Sequence, residues 1–310
     1  MCVTREFYFD SSDGVHQLHA QEWLPSGQPR GVVQLVHGIA EHVGRYDGFA
    51  RFLAERGFYV CGDDHLGHGR TARGPEELGF TCEQDGWRIM ADDVRALRER
   101  TGGRYPGLPY LLLGHSMGSF LARTYLIRYP GTVDACALSG TGHQSRALIA
   151  FGRAVIALER ARLGAQGRSR LVQKLCFGAY NLQFRPVRTA NDWISRDEQV
   201  VDAYNADPCC QFQPTTALFG DMMDGLRFIT DPQNLARMNP ATPILFFSGD
   251  QDPVGGSGAG VKRAYHAFRK AGCTDVTMKL YPGGRHEMLN ETNRDQVYRD
   301  VLAWMERVLF

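Results

Sequence analysis

Three short stretches carry the side chains best suited to nucleophilic chemistry, and their order is informative. Gly114-His115-Ser116-Met117-Gly118 is a G-x-S-x-G turn. Asp250 and Asp252 follow the apolar run Ile244 to Phe247. His286 follows the turn Pro282-Gly283-Gly284-Arg285. A serine hydroxyl is a weak nucleophile at neutral pH, so it needs a base, and the base needs a carboxylate to orient it. In a strand-helix sheet carrying a G-x-S-x-G elbow, the serine comes first, the acid second and the histidine last. Downstream of Ser116 there are three histidines. His143 comes before any late-strand acid. His266 lies inside the helical pattern VKRAYHAFRKAG and reads as a surface or packing residue. His286 alone stands at the carboxyl end of a strand pattern. For the acid, Asp252 is favoured because it sits deeper in its loop and precedes the turn-fixing Pro253, with Asp250 as the fallback.

Attack on an acyl group creates an oxyanion, which needs N–H donors fixed in advance. One donor is expected from Met117, at a helix N-terminus where the dipole also helps. The second is expected from Ile39, in the loop His37-Gly38-Ile39. An isolated G-x-S-x-G is most simply a glycine-rich loop with an incidental serine. Here it follows the apolar strand Tyr110 to Leu113 and precedes a helical pattern from Ser119 to Tyr129, which is the context the motif requires.

The elements that must hold these residues alternate. A hairpin is expected from Glu6 to Trp23, turning at Ser11 to Gly14. Strands follow at Val32 to Val36, Phe58 to Cys61, Tyr110 to Leu113 and Val133 to Leu138. Helices are expected at Tyr46 to Arg56 and Trp87 to Arg100. Such alternation predicts an α/β fold, a mostly parallel doubly wound sheet with an N-terminal antiparallel hairpin. Functional loops then lie at the strands' carboxyl ends. From Thr141 to about Gly220 the alternation stops and the pattern is helical, starting with Ser145 to Leu163. It resumes with a strand at Pro243 to Ser248, a helix at Val261 to Ala271, a strand at Val276 to Tyr281 and a helix at Arg294 to Val308. The expected division is a core of residues 1–140 and 221–310 with an inserted helical cap or lid at 141–220, above the serine.

Composition sets limits. The chain has 310 residues, 43% hydrophobic, with a formal net charge of +1, which argues against a global nucleic-acid surface. Eight cysteines lie scattered with no C-x-x-C pair, as expected for reduced structural thiols. The first residues, MCVTREFYFDSSDG, are too polar for a signal peptide, and no uncharged apolar stretch spans a bilayer. A cytoplasmic location is expected, with peripheral membrane contact left open.

The motifs HGIAEHVGRY at 37–46, DDHLGHG at 63–69, GHSMG at 114–118, SRDEQVVDAYNADP at 195–208, GDQDPVG at 249–255 and PGGRHEMLNE at 282–291 run in order over nearly the whole chain. Together they resemble the monoacylglycerol lipase and lysophospholipase branch of the α/β-hydrolases. The resemblance implies Ser116, Asp252 and His286 as a catalytic triad, with Ile39 and Met117 as oxyanion donors. It also implies that Glu41 and Arg45 help to receive a glycerol head group. The Gly-rich GGSGAG at 255–260 is more typical of bacterial members, whose substrates vary.

Such chemistry needs no cofactor. Asp63, Asp64, His65 and His68 look like metal ligands, but no general-base glutamate or third ligand set accompanies the His-x-x-His spacing, so a bracing loop is expected and no metal. Between Ser145 and Leu175 seven basic residues stand against the single acid Glu159. A solvated cap face is the favoured reading, and a basic lid touching anionic lipid is the alternative. The leading function is a serine carboxylester hydrolase acting on monoacylglycerol or lysophospholipid-type esters through an acyl-enzyme. A general short-chain esterase, thioesterase, acyltransferase or peptidase would use the same triad. A hydrolase-fold binding protein without turnover is the alternative of another class.

Overall fold

Eight strands form a single sheet in the computed structural model, which describes residues 2–310. They are β1 (Val3–Asp10), β2 (Gln17–Leu24), β3 (Gly31–Val36), β4 (Phe58–Asp63), β5 (Tyr110–His115), β6 (Ala135–Ser139), β7 (Ile244–Gly249) and β8 (Val276–Tyr281). Their spatial order is β1-β2-β4-β3-β5-β6-β7-β8. β1 and β2 pair antiparallel, β2 meets β4 antiparallel, and β4 through β8 run parallel. Strands β3 to β7 are buried at every position, which is why they read as continuous apolar runs rather than alternating ones.

Successive side chains still point to opposite faces. Val32, Tyr59, Leu112, Cys136 and Phe246 face one core, and Val33, Val60, Leu111, Ala137 and Phe247 face the other. Helices α1 (Asp47–Ala54) and α10 (Arg294–Leu309) cover the second face through Phe49, Leu53, Val301 and Met305. Helices α2 (Gly86–Arg104), α3 (Met117–Arg128) and α9 (Ala259–Lys270) cover the first.

Between β6 and β7 lie α4 (Arg146–Leu163), α5 (Arg170–Phe177), α6 (Glu198–Ala206), α7 (Thr216–Thr230) and the single turn α8 (Pro232–Leu235). All five begin at a capping side chain: Ser145, Ser169, Asp197, Thr215 and Asp231 each accept from a backbone N–H of the first turn. α7 continues straight through Gly220 and packs on both α4 and the core helices α2 and α3, so a division at residue 220 passes through a helix. One buried side chain ties both ends of this insertion to α3. Arg123 Nη1 donates to the Gly142 carbonyl at 2.8 Å and Nη2 to the Ile229 carbonyl at 3.2 Å. Burial without a carboxylate partner pushes the Arg123 guanidinium down to about 9.

The β5–α3 turn is built from two glycines that permit backbone contact. A Cβ on Gly114 would come within 2.4 Å of the Gly118 carbonyl oxygen, and one on Gly118 within 2.0 Å of the Val36 carbonyl oxygen. Between them Ser116 holds φ +53°, ψ −121°, a conformation that costs a side-chain-bearing residue about 1–3 kcal/mol. Gly118→Ala cannot be relieved by a side-chain rotation, because its clash is with backbone. Urea unfolding should show it destabilised by about 1–3 kcal/mol or more, with the slope against denaturant unchanged.

Candidate active site

Ser116 rises at the carboxyl end of β5 and opens onto a cavity of about 720 Å³. Ile39, Met117, His286, Glu41 and Glu287 share its walls. Met117 is the first residue of α3, where helix amides have no internal acceptor and the dipole is positive. Ile39 belongs to the loop after β3. There the Gly38 N–H donates to Glu41 Oε1 at 2.6 Å, which ties that loop into a tight turn beside the serine. The next residue, Ala40, takes a positive φ of 58°. Its carbonyl accepts from the Tyr204 hydroxyl (3.0 Å) and from the Gln211 N–H (3.1 Å), both in the inserted segment.

The two late loops meet directly. His286 Nδ1 lies 3.0 Å from Asp252 Oδ1. Asp252 is fully buried, and its other oxygen accepts from the Ser248 hydroxyl at 2.9 Å, while the Val254 N–H donates to Oδ1 at 2.9 Å. Asp250 is turned elsewhere and accepts from the Gly283 N–H. Burial works against charge on both partners, but each offsets it for the other. Burial would raise the Asp252 carboxyl, yet the neighbouring imidazole holds it below the ordinary value. Burial would lower the His286 imidazole, yet the Asp252 carboxylate carries it above the ordinary histidine value.

Behind Glu41 stands a buried ion cluster. Arg45 Nη1 donates to Glu41 Oε2 (2.8 Å) and to Glu287 Oε1 (2.6 Å), and Nη2 donates to Glu287 Oε2 (2.7 Å). The Tyr46 hydroxyl donates to Glu41 Oε1 at 2.9 Å. Burial raises the Glu41 carboxyl. It opposes Glu287 too, but there the Arg45 cation prevails and the pKa is lowered. Glu41 borders the cavity, whereas Arg45 is set behind the two carboxylates and over the Tyr204 ring at 4.8 Å.

The histidines of the loop after β4 pack against the loop after β3. His37 stacks on His65 with centroids 4.0 Å apart, and the His65 N–H donates to His37 Nε2 at 3.0 Å. His65 Nδ1 pairs with Asp63, and His68 Nδ1 with the Leu66 carbonyl. Among the described residues the donor atoms that converge closely enough for a metal are those of His42, Asp207 and Cys210, within 4.8 Å of one another. There His42 Nε2 already pairs with Asp207 at 2.9 Å. His143 lies 3.4 Å from Arg123, and His266 is exposed on α9.

Several contacts could not be read from spacing. Ser248 and Val254 brace Asp252, Glu287 anchors Arg45, and His115 and Trp193 pack on the His286 ring. His115 and Glu287 adjoin Ser116 and His286 in the chain, and that adjacency was the available signal. Trp193 carried none.

Comparison with known proteins gives one answer. The profile of the serine aminopeptidase S33 family matches residues 27–293. A monoacylglycerol lipase of Mycolicibacterium smegmatis is 34% identical over 91% of this chain and 90% of its own. The human monoglyceride lipase is 26% identical over 96% and 89%. Among solved structures, a thermostable carboxyl esterase from Bacillus coagulans, in complex with glycerol, superimposes with a TM-score of 0.92 at 30% identity, covering 99% of both chains. With its nucleophile elbow, parallel sheet and inserted helices, this chain belongs to the serine aminopeptidase S33 family of α/β-hydrolases, alongside the monoacylglycerol lipases, and is a serine ester hydrolase.

Proposed function

We propose that the protein hydrolyses monoacylglycerol-type esters, with Ser116 as nucleophile, His286 as general base and Asp252 as its orienting carboxylate. The observation that carries this reading is the 3.0 Å contact of His286 with the buried Asp252 on the wall of the cavity that also holds Ser116. As Ser116 Oγ attacks the ester carbon, its proton passes to His286, and the Asp252 carboxylate stabilises the imidazolium. The N–H groups of Ile39 and Met117 receive the oxyanion. On collapse, the alcohol leaves with the proton from His286. Water, activated by the same base, then releases the fatty acid.

The cavity's surroundings support a lipid. Leu148, Ile149, Phe151 and Phe177 line it from the inserted helices, which in this reading (residues 141–220) act as a cap over an acyl chain, and Leu226 lines it from the continuation of α7. Glu41, at the same cavity, is proposed to meet the alcohol head group, with Arg45 holding it in place. A general short-chain esterase is the second reading, favoured by the close superposition on the Bacillus coagulans carboxyl esterase. Thioester, acyl-transfer and peptide substrates remain within reach of the same triad.

We also propose peripheral membrane contact through the cap. Of the seven basic residues between Ser145 and Leu175, Arg146, Arg153, Arg160 and Arg162 pair with carboxylates and Arg168 with backbone carbonyls. Arg170 and Lys174 line the cavity. Beside them Leu148, Phe151, Leu171 and Leu175 are exposed, a combination suited to a lipid surface. Among the described residues no helix is long and apolar enough to cross a membrane.

A fluorophosphonate probe should label the native protein and not Ser116→Ala, and long-chain monoacylglycerol should be turned over faster than short p-nitrophenyl esters. A preference for the short esters would move the assignment to general esterase, and no labelling at all would leave a binding protein. The pH profile has a definite sign. His286 must be neutral to act, so kcat/KM should fall as pH drops through its raised pKa. In Asp252→Asn the carboxylate that raises it is gone, so that limb should move to lower pH while kcat falls about 10⁴-fold. Co-sedimentation with liposomes should increase with anionic lipid and decrease with salt, and Lys174→Glu should weaken it; binding indifferent to both would sink the membrane contact.

A further inference from the structure

The ring that must become positively charged, His286, packs against two aromatic neighbours. His115 approaches to 4.6 Å between centroids, and Trp193 to 5.0 Å with 39° between ring planes. His115 is the neutral neighbour, since burial and the charge of His286 push it down to about 3. Trp193 comes from the short 3-10 turn Asp192–Ile194 of the inserted segment. It is more than ninety residues away in sequence, yet its position against His286 is heavily constrained. The Glu287 N–H donates to the Ile194 carbonyl at 2.8 Å, and the His286 N–H points to the Trp193 carbonyl at 3.4 Å. The Arg285 guanidinium donates to the carbonyls of Asp192 and Ser195, and the Ser195 hydroxyl donates to the Asn290 carbonyl. Tyr180 packs on the far part of the indole at 4.8 Å.

An aromatic face within about 6 Å of a cation attracts it through the ring quadrupole, and the attraction grows where water is excluded. Only the charged form of His286 gains from this. Resting enzyme with a neutral imidazole gains little, so the contact acts on the transition state rather than on bound substrate. The other charged groups around the ring are Asp252 on the β7 loop, Glu287 on its own loop and Glu41 on the loop after β3. The one permanent cation of the cluster, Arg45, is already paired with Glu41 and Glu287.

We propose that Trp193 is a positioning residue for the reaction: its indole stabilises the imidazolium that His286 forms when it accepts the Ser116 proton. The proton moves from Ser116 Oγ to His286 as the Oγ–carbon bond forms, and onward to the departing alkoxide oxygen as the ester C–O bond breaks. During acylation the ring is charged between those events, next to Trp193, and it is charged again when it takes a proton from the attacking water. This inference rests on His286 being the general base.

Two substitutions separate a π-face from mere bulk. Trp193→Leu removes the aromatic face, and Trp193→Phe keeps a smaller one. With a p-nitrophenyl ester, Trp193→Leu should lower kcat about 3- to 10-fold with KM changed less than about twofold, and move the acidic limb to lower pH. Trp193→Phe should fall between Trp193→Leu and the native enzyme in both respects. A loss expressed only in KM, an unmoved limb, or a Phe variant as impaired as the Leu variant would overturn the proposal. A second readout does not depend on those variants being active. In Ser116→Ala, tryptophan fluorescence should titrate with pH as His286 gains its proton beside Trp193. The transition should vanish in Ser116→Ala/Trp193→Phe and in Ser116→Ala/His286→Asn. Its persistence in the first double variant would assign it elsewhere and overturn the proposal. Full activity in His286→Ala would instead overturn the general-base reading itself.

Discussion

Everything that converges on Ser116 depends on how closely α3 is allowed to approach β3. The missing side chain of Gly118 lets the helix start against the Val36 and His37 carbonyls. That proximity brings the loop after β3 alongside the elbow. A Cβ on Gly38 would lie only 3.0 Å from that of Ser116. Ile39 and Met117 therefore border one cavity from two separate strand ends. The positive φ of Ser116 is the local cost of that arrangement, and the packed sheet on either side sustains it.

Around this turn the fold gathers an unusual concentration of buried charge. Glu41 and Glu287 are carboxylates bordering the cavity, Asp252 is a third behind His286, and Arg45 is the cation shared by the first two. Buried ions are costly unless paired and hydrogen-bonded, and here the pairing also joins structure. Arg45 links the loop after β3 to the loop after β8, so the loop that carries Ile39 and the loop that carries His286 are set by one guanidinium. The surplus of negative charge raises the proton affinity of His286.

Much of this was legible in the residues. Buried parallel strands announced themselves as apolar runs, and the G-x-S-x-G turn specified its own strand and helix. Asp252 was preferred over Asp250 on its depth in the loop, and it is Asp252 that meets His286. What escaped was of two kinds. Trp193, Ser248 and Glu287 matter through contacts made in space, and no periodicity marks them. The far boundary of the insertion escaped for another reason. The expected boundary at residue 220 falls inside α7, where Gly220 is an interior residue whose nearest neighbour, Ile156 of α4, would stand 3.8 Å from an added Cβ. Helical pattern alone cannot separate a helix of the insertion from one of the core when a single helix serves both.

That shared helix has a mechanical consequence. With α7 packed on α2 and α3, and with Arg123 holding carbonyls at both the entry and the exit of the insertion, the inserted helices are fastened to the core at both ends. The apolar side of the cavity's mouth comes from α4 and α5, whose Leu148, Phe151 and Leu175 both line the cavity and stand exposed. The insertion is thus built as a collar, fixed at its base and apolar around its opening.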